Sequence, residues 1–254
     1  MSRWRRTPRL AWAFAALALV ASAGWPTTAQ ADEWQVVAPG VTFREFILPG
    51  PNHAFVARLD TASPDVTIES SIASGALASG VETVSEMARR YDGTLSAWGG
   101  FWGPRQRVVV AVNGSSYHPE TGEPYGGLIY DGWYALRFGE AAGTSGLAWT
   151  ADRRAVIGGC ISNPVETNVV TNVRTGVQVP LRSVNRDLHG LTLYTPQYDV
   201  ATPENGNAVE AVLDVSGPVG LAPASRGVSA VVREVRRGGG TPLAFDRVVL
   251  AARG

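Results

Sequence analysis

The chain is poor in the residues that cross-link proteins or hold metals. Its 254 residues include one cysteine, Cys160, and only three histidines. A single cysteine excludes an internal disulfide, so stability must come from a packed core, and the apolar neighbours of Cys160 predict a buried, inert thiol. His53, His118 and His189 lie far apart without metal-ligand spacing. We therefore expect no metal and no cofactor.

The chain also lacks an excess of charge of either sign. Lysine plus arginine equals aspartate plus glutamate, at 22 each, so net charge gives no indication of nucleic-acid binding. No HExxH, CxxC, P-loop or Gly-x-Ser-x-Gly segment occurs. Acidic residues are scattered, and no pair of them can be named as general acid and base. These absences exclude several common enzyme classes.

The N-terminus has the pattern of a secretory signal. Met1 to Arg9 is basic, Leu10 to Gly24 is apolar, and Ala29-Gln30-Ala31 follows just before Asp32. A basic segment, a short apolar segment and a small-x-small site predict a cleaved signal peptide over residues 1–31. The alternative is a membrane anchor, but the apolar run is shorter than the ~20 residues that span a bilayer. We expect a secreted, periplasmic or cell-envelope protein, with no membrane span after cleavage.

Glycine and proline are abundant, at 29 and 16 residues, which indicates many turns between short strands. Segments rich in β-branched and aromatic residues, bounded by turn residues, predict the strands. They are Val41–Leu48, Ala54–Leu59, Val66–Ile72, Val108–Val112, Gly127–Tyr130, Tyr134–Phe138, Leu191–Tyr194, Ala208–Val215, Val228–Val235 and Val248–Ala251.

One helix is predicted, over Val84 to Tyr91. Thr83 and Glu86 have the spacing of a capping box, in which each side chain satisfies a free backbone N–H of the first turn. Val84, Met87, Ala88 and Tyr91 then form one apolar stripe. The predicted fold class is α+β: a β-rich mixed sheet with a helix packed on it and many hairpins.

Two stretches offer polar or aromatic groups to a ligand. Gly93 to Gln106 places Trp98 and Trp102 among glycines; they could stack on a sugar ring, or fold back as a lid over the core. Asn113-Gly114 ends the predicted strand Val108–Val112. It could be a glycosylation acceptor, a tight turn or the edge of a site where glycine lets a ligand approach. The local pattern alone favours the turn.

Several segments follow one another along the mature chain in a recognisable order. They are Val37–Val41 (VAPGV), Thr83–Ala88 (TVSEMA), Val108–Gly114 (VVVAVNG), Gly122–Gly132 (GEPYGGLIYDG), Val184–Tyr198 (VNRDLHGLTLYTPQY), Asn207–Leu213 (NAVEAVL) and Gly238–Gly254. This series resembles the phosphodiester glycosidase family, the bacterial relatives of the lysosomal uncovering enzyme. The downstream Arg-Thr-Ala-x-Gly, Asp-Gly-Arg and Leu-Asp-Gly-Gly-Gly-Ser-Ser segments of that family do not occur here. The resemblance thus implies one domain over 32–254 that lacks the family's C-terminal catalytic half.

The resemblance also implies a site and a substrate. Asn113 falls at the strand end that faces the family's cleft. The resemblance therefore favours the interpretation of Asn113-Gly114 as the edge of a site and implies a catalytic role for Asn113. Gly114, Tyr117, Gly126 and Asp131 are the implied substrate-binding residues beside it, joined by Trp98 and Trp102 from the aromatic loop.

The implied activity is hydrolysis of a sugar-1-phosphodiester related to an exopolysaccharide or envelope glycan. The partner is then a carbohydrate or sugar-phosphate, with a completing chain as a further possibility. The alternatives left open are a non-catalytic module that binds envelope glycans and a truncated pseudoenzyme.

Overall fold

The computed structural model describes residues 33–92, 95–98, 101–104, 107–114, 116–130, 132–139, 144–150, 152–186, 189–220 and 227–253. The predicted signal peptide over 1–31 lies outside them. The chain divides into two compact units, with the boundary between Ser63 and Pro64. Both are dominated by strands, so the fold is mostly β with one α-helix among the described residues.

The first unit is a three-stranded antiparallel sheet. Its strands are β1 (Gln35–Ala38), β2 (Val41–Ile47) and β3 (His53–Leu59), in that order across the sheet. Gly40 turns the chain between β1 and β2 with a φ of 75°, a left-handed conformation that glycine adopts without a steric cost. The predictions of strands at Val41–Leu48 and Ala54–Leu59 are confirmed.

The second unit carries the helix and the remaining strands. In chain order they are α1 (Val84–Asp92), β4 (Leu95–Trp98), β5 (Phe101–Pro104), β6 (Leu128–Tyr130), β7 (Trp133–Leu136), β8 (Thr144–Trp149), β9 (Ala155–Ile161), β10 (Val169–Thr171), β11 (Gln178–Pro180), β12 (Ser183–Val184), β13 (Gly190–Tyr194), β14 (Val209–Val215), β15 (Ala230–Arg237) and β16 (Arg247–Arg253). Short 3-10 turns lie at Ala73–Gly75 and Val165–Thr167.

The main sheet of this unit has five strands in the order β12-β13-β16-β14-β15. The β12–β13 pair is parallel and the other pairs are antiparallel, so the sheet is mixed, as predicted. Its strands β13, β14 and β16 carry buried apolar side chains on both faces, whereas all eight residues of β15 are exposed. Leu193, Leu213 and Val248 pack into one core cluster on one face, while Tyr194 and Val249 belong to a second cluster on the other. Burial on both faces explains why these strands read as nearly continuous apolar runs.

The other strands form two-stranded antiparallel pairs: β4–β5, β6–β7, β8–β9 and β10–β11. All four residues of β7 are buried, and β7 lies beside β12. The stretch Gly93–Gln106 was expected to be a loop, yet its described backbone forms the β4–β5 hairpin. The side chains of Trp98 and Trp102 lie outside the described residues.

The predicted helix is confirmed, with its capping box. The Glu86 N–H donates to Thr83 Oγ1 at 3.2 Å, and the Thr83 N–H donates to Glu86 Oε2 at 3.0 Å. The helix buries none of its residues completely. It is held instead by Arg90, which donates to the Ile72 carbonyl at 2.8 Å and pairs with Glu82. The finer expectation, a helix packed on the sheet, stays a prediction.

Two predicted strands are wrong. Val66–Ile72 has no strand pairing, and neither has Val108–Val112. In the second segment Val109 is 37% exposed and Val112 is 84% exposed. β-Branched composition favours an extended backbone, but a strand also needs a neighbour, and no described segment pairs with either one.

Candidate functional site

Asn185 has an unusual backbone conformation. It directly follows β12, has a φ of 52° and is 1% exposed. A residue other than glycine in this left-handed region costs energy and persists only where its surroundings fix it. Here the side-chain amide does so: Nδ2 donates to the Ala135 carbonyl at 2.9 Å and to Thr195 Oγ1 at 2.6 Å, while Oδ1 accepts from the Thr195 N–H at 2.7 Å. The turn after β12 is therefore locked.

The locked turn positions Arg186. Its carbonyl accepts a hydrogen bond from the buried Ser183 hydroxyl at 2.5 Å. The guanidinium Nε donates to the Glu123 carboxylate, and an Nη donates to the Pro124 carbonyl at 2.9 Å. The Arg186 side chain is thereby fixed at both ends, in a place where it remains about one-third exposed.

The partners of Arg186 come from a tight turn over 116–125. Tyr117 and Pro124 form an antiparallel bridge, the His118 N–H donates to the Glu123 carbonyl at 2.8 Å, and the Gly122 N–H donates to the His118 carbonyl at 2.8 Å. Gly122 has a φ of 76°, and a Cβ there would lie 1.9 Å from the Gly80 carbonyl oxygen. Only glycine fits this position, because the turn packs closely against the Gly80 backbone. This packing fixes the positions of Glu123 and Pro124.

Arg186 lines a cavity of about 220 Å³ together with two further arginines, Arg137 and Arg182. Ser183 and Tyr125 line the same cavity. None of the residues that line it is a carboxylate, and Glu123 bonds to Arg186 from beside it. Three arginines that line a cavity of this size favour an anion with several oxygen atoms, such as a phosphate, because arginine binds such groups through two hydrogen bonds at once.

The wall behind this cavity is held by Tyr134. Its hydroxyl donates to Asn163 Oδ1 at 2.8 Å and accepts from the Phe138 N–H at 3.0 Å. The Asn163 carbonyl in turn accepts a hydrogen bond from the Arg137 guanidinium. Burial raises the pKa of Tyr134 to about 12, so the phenol stays neutral and keeps donating over the physiological range. Arg137 is thereby tied to β7.

A second cavity, of about 310 Å³, is lined in part by Glu120, Thr121 and Glu123 of the same turn. Arg186, Asn185 and Tyr198 line it as well. Arg186 thus stands between one cavity lined by cations and another that carries two carboxylates. An anion entering the first cavity competes with Glu123 for the same guanidinium.

The residues implied by the sequence are only partly brought together. Tyr117 and Gly126 lie in or next to the turn that binds Arg186, and Tyr117 is 52% exposed. Asn113 and Gly114 are exposed in a segment without strand structure and line neither cavity. Asp131, like the side chains of Trp98 and Trp102, lies outside the described residues.

The arginines of the cavity were missed at the sequence level. Arg137 is 45 or more positions away from Arg182 and Arg186, and the three meet only because β7 lies beside β12. The one local signal was Asn185-Arg186 within VNRDLHG, since asparagine is among the residues that tolerate a positive φ.

Comparison with family models, with curated proteins and with solved structures gave no match. The resemblance to phosphodiester glycosidases therefore stays a prediction. Within the part of the chain that the structure describes, no helix has the length and apolar character to cross a membrane. No cluster of three or more His, Cys, Asp or Glu side chains that could hold a metal occurs among those same residues.

Proposed function

We propose that this chain is an exported phosphodiester glycosidase that hydrolyses a sugar-1-phosphodiester and holds the phosphate in the arginine-lined cavity. The observation that carries the proposal is the convergence of Arg137, Arg182 and Arg186 on one cavity of about 220 Å³. The order of the family-like segments along the sequence is the independent support. Of these, VNRDLHG contains Asn185 and Arg186.

The reaction breaks the bond between the anomeric carbon and the phosphate oxygen. Water forms the new bond to that carbon and gives up a proton, and the phosphate monoester leaves with the electron pair. Negative charge grows on the departing phosphate, so guanidinium groups fixed beforehand around it stabilise the transition state more than the ground state. Arg186 is suited to this role because Asn185 and Glu123 hold it before the substrate binds.

The test is hydrolysis of the methyl diester of α-glucose-1-phosphate by the full chain, with released glucose and methyl phosphate followed by NMR. In Arg186→Gln we expect the rate to fall by about 10²–10³-fold, the range seen when one transition-state donor is removed. The matched control is Arg174→Gln, since Arg174 is exposed in the turn between β10 and β11 and should leave the rate unchanged.

Inorganic phosphate should inhibit competitively, and its binding should weaken in Arg186→Gln. No turnover with any hexose-1-phosphodiester would overturn the enzymatic proposal. If phosphate binding nevertheless depends on Arg186, the non-catalytic alternative from the sequence would take its place.

A further inference from the structure

Asparagine is followed by glycine at two places in the chain, Asn113-Gly114 and Asn205-Gly206. Asparagine is a chemically labile residue, and a following glycine makes loss of its side-chain amide easier. Glycine has no Cβ to hinder the approach of its backbone nitrogen to the asparagine side chain. The two dipeptides share this chemistry, so the difference between their surroundings decides which of them reacts faster.

Asn113 lies in open surroundings. It and Gly114 are exposed, the preceding Val112 is 84% exposed, and the segment has no strand pairing. Among the described residues, none forms a hydrogen bond with the Asn113 side chain or with the Gly114 N–H. A Cβ built on Gly114 would meet nothing within 4 Å. The amide of Asn113 and the nitrogen of Gly114 can therefore turn toward each other.

Asn205 is held in a hydrogen-bonded turn. Its Oδ1 accepts from the Asn207 N–H at 3.0 Å, and its carbonyl accepts from the Ala208 N–H at 3.0 Å. The Gly239 backbone packs against this turn so closely that a Cβ there would lie 2.7 Å from the Asn205 nitrogen. Closing a ring at Asn205 would rotate its backbone and side chain, break both hydrogen bonds and move the turn against Gly239. The folded structure therefore opposes the reaction at Asn205.

We propose that Asn113 is a site of spontaneous deamidation in the folded protein, whereas Asn205 is protected. The Gly114 nitrogen forms a bond to Cγ of Asn113, the bond from Cγ to the side-chain nitrogen breaks, and ammonia leaves with the proton given up by Gly114. Water then opens the succinimide ring at either carbonyl, and one of its protons returns to the ring nitrogen. The products are aspartate and isoaspartate. Water is the only reactant consumed.

Either product replaces a neutral amide with a carboxylate at residue 113. Because the segment is exposed, the new carboxylate stays hydrated and the fold pays no cost of burying a charge. The protein should therefore accumulate folded species with one additional negative charge as it ages. Ion exchange separates these species from the unmodified chain.

The test incubates the full chain at neutral and at mildly alkaline pH and follows both dipeptides by peptide mapping with mass spectrometry. The mass change from NH₂ to OH marks deamidation, and isoaspartyl methyltransferase labels the isoaspartate. We expect Asn113 to react at least about tenfold faster than Asn205, because two hydrogen bonds oppose ring closure at Asn205. Both rates should rise with pH, since the attacking nitrogen must lose its proton.

Gly114→Ala tests the ring-closing step directly. Gly114 has no positive φ, and a Cβ there meets open space, so alanine should preserve the fold while its methyl group slows attack on Asn113. Gly206→Ala is the matched control, since Gly206 has no positive φ and the same open space; it should leave the rate at Asn113 unchanged. In urea both dipeptides lose their surroundings and should react at similar rates.

Each outcome decides the proposal. Equal rates at the two dipeptides in the folded protein, or reaction of both only in urea, overturn it. An unchanged rate at Asn113 in Gly114→Ala overturns it as well. A glycan on Asn113 of the secreted protein also overturns it, because the sugar occupies the nitrogen that has to leave. No measurement uses a phosphodiester, so this inference and the proposed hydrolysis can fail separately.

Discussion

The turn that fixes Arg186 can be tested by replacing Asn185 with alanine. The change removes three hydrogen bonds and leaves the Thr195 N–H and the Ala135 carbonyl buried without this partner. Each orphaned group costs about 1–3 kcal/mol. Alanine in the left-handed conformation adds about 1–2 kcal/mol. We therefore expect the free energy of unfolding to fall by roughly 3–8 kcal/mol, a large share of the ~5–15 kcal/mol of a typical domain.

Urea denaturation followed by tryptophan fluorescence measures this loss. Asn185→Gly separates its two causes, because glycine accepts the positive φ but makes no side-chain hydrogen bond, so it should be about 1 kcal/mol more stable than Asn185→Ala. Asn207→Ala, at an exposed turn position, should stay within about 0.5 kcal/mol of the unmodified protein.

The Asn185→Ala substitution should also weaken phosphate binding at the arginine cavity. Under conditions where Asn185→Ala is still folded, inorganic phosphate should bind more weakly, because Arg186 is no longer held toward the cavity. A free energy of unfolding within about 1 kcal/mol of the unmodified protein would refute the reasoning that the amide network locks this turn.

Two further predictions concern the helix and the wall of the cavity. Thr83→Ala removes the cap of α1 and should lower the free energy of unfolding by about 1 kcal/mol in urea, whereas Thr83→Ser should preserve it. The pKa of Tyr134 is about 12 in the folded protein and about 10 when unfolded. The neutral phenol therefore contributes its full share of the free energy of unfolding below pH 10, and this share is lost as pH rises toward 12. Tyr134→Phe should therefore lose less stability than the unmodified protein between pH 9.5 and pH 11.5, by at most about 2 kcal/mol; parallel curves would contradict the assignment.

The parts of the fold that local sequence determines were predictable. The capping box at Thr83 and Glu86 needs only residues within one helical turn, and it forms as expected. Val108–Val112 shows the limit of this reasoning. Its composition is typical of a buried strand, but burial depends on partners elsewhere in the chain, and the described residues provide none. The implied site residue Asn113 consequently stands on an exposed segment.

The arginine cavity could not be predicted for a related reason. Arg137 follows β7 and Arg182 precedes β12, and these strands become neighbours only through tertiary packing. In the sequence Arg137, Arg182 and Arg186 are three separate arginines among 22 basic residues, and no motif links them. What the sequence does contain is Asn185, whose tolerance of a positive φ is a weak signal that becomes informative only once the backbone is known.

The place of β16 has a consequence for the order in which the sheet can form during synthesis. This strand lies between β13 and β14 and is the neighbour they share, yet it follows β13 by about 50 residues, which a ribosome takes roughly 3–10 s to add. Until β16 emerges, β12–β13 and β14–β15 can form only as two separate pairs. Each pair exposes apolar side chains, Leu193 on one and Leu213 on the other, that are later covered together. During this interval the exposed apolar side chains of the nascent chain can bind chaperones or aggregate. The interval ends when β16 pairs with β13 and β14.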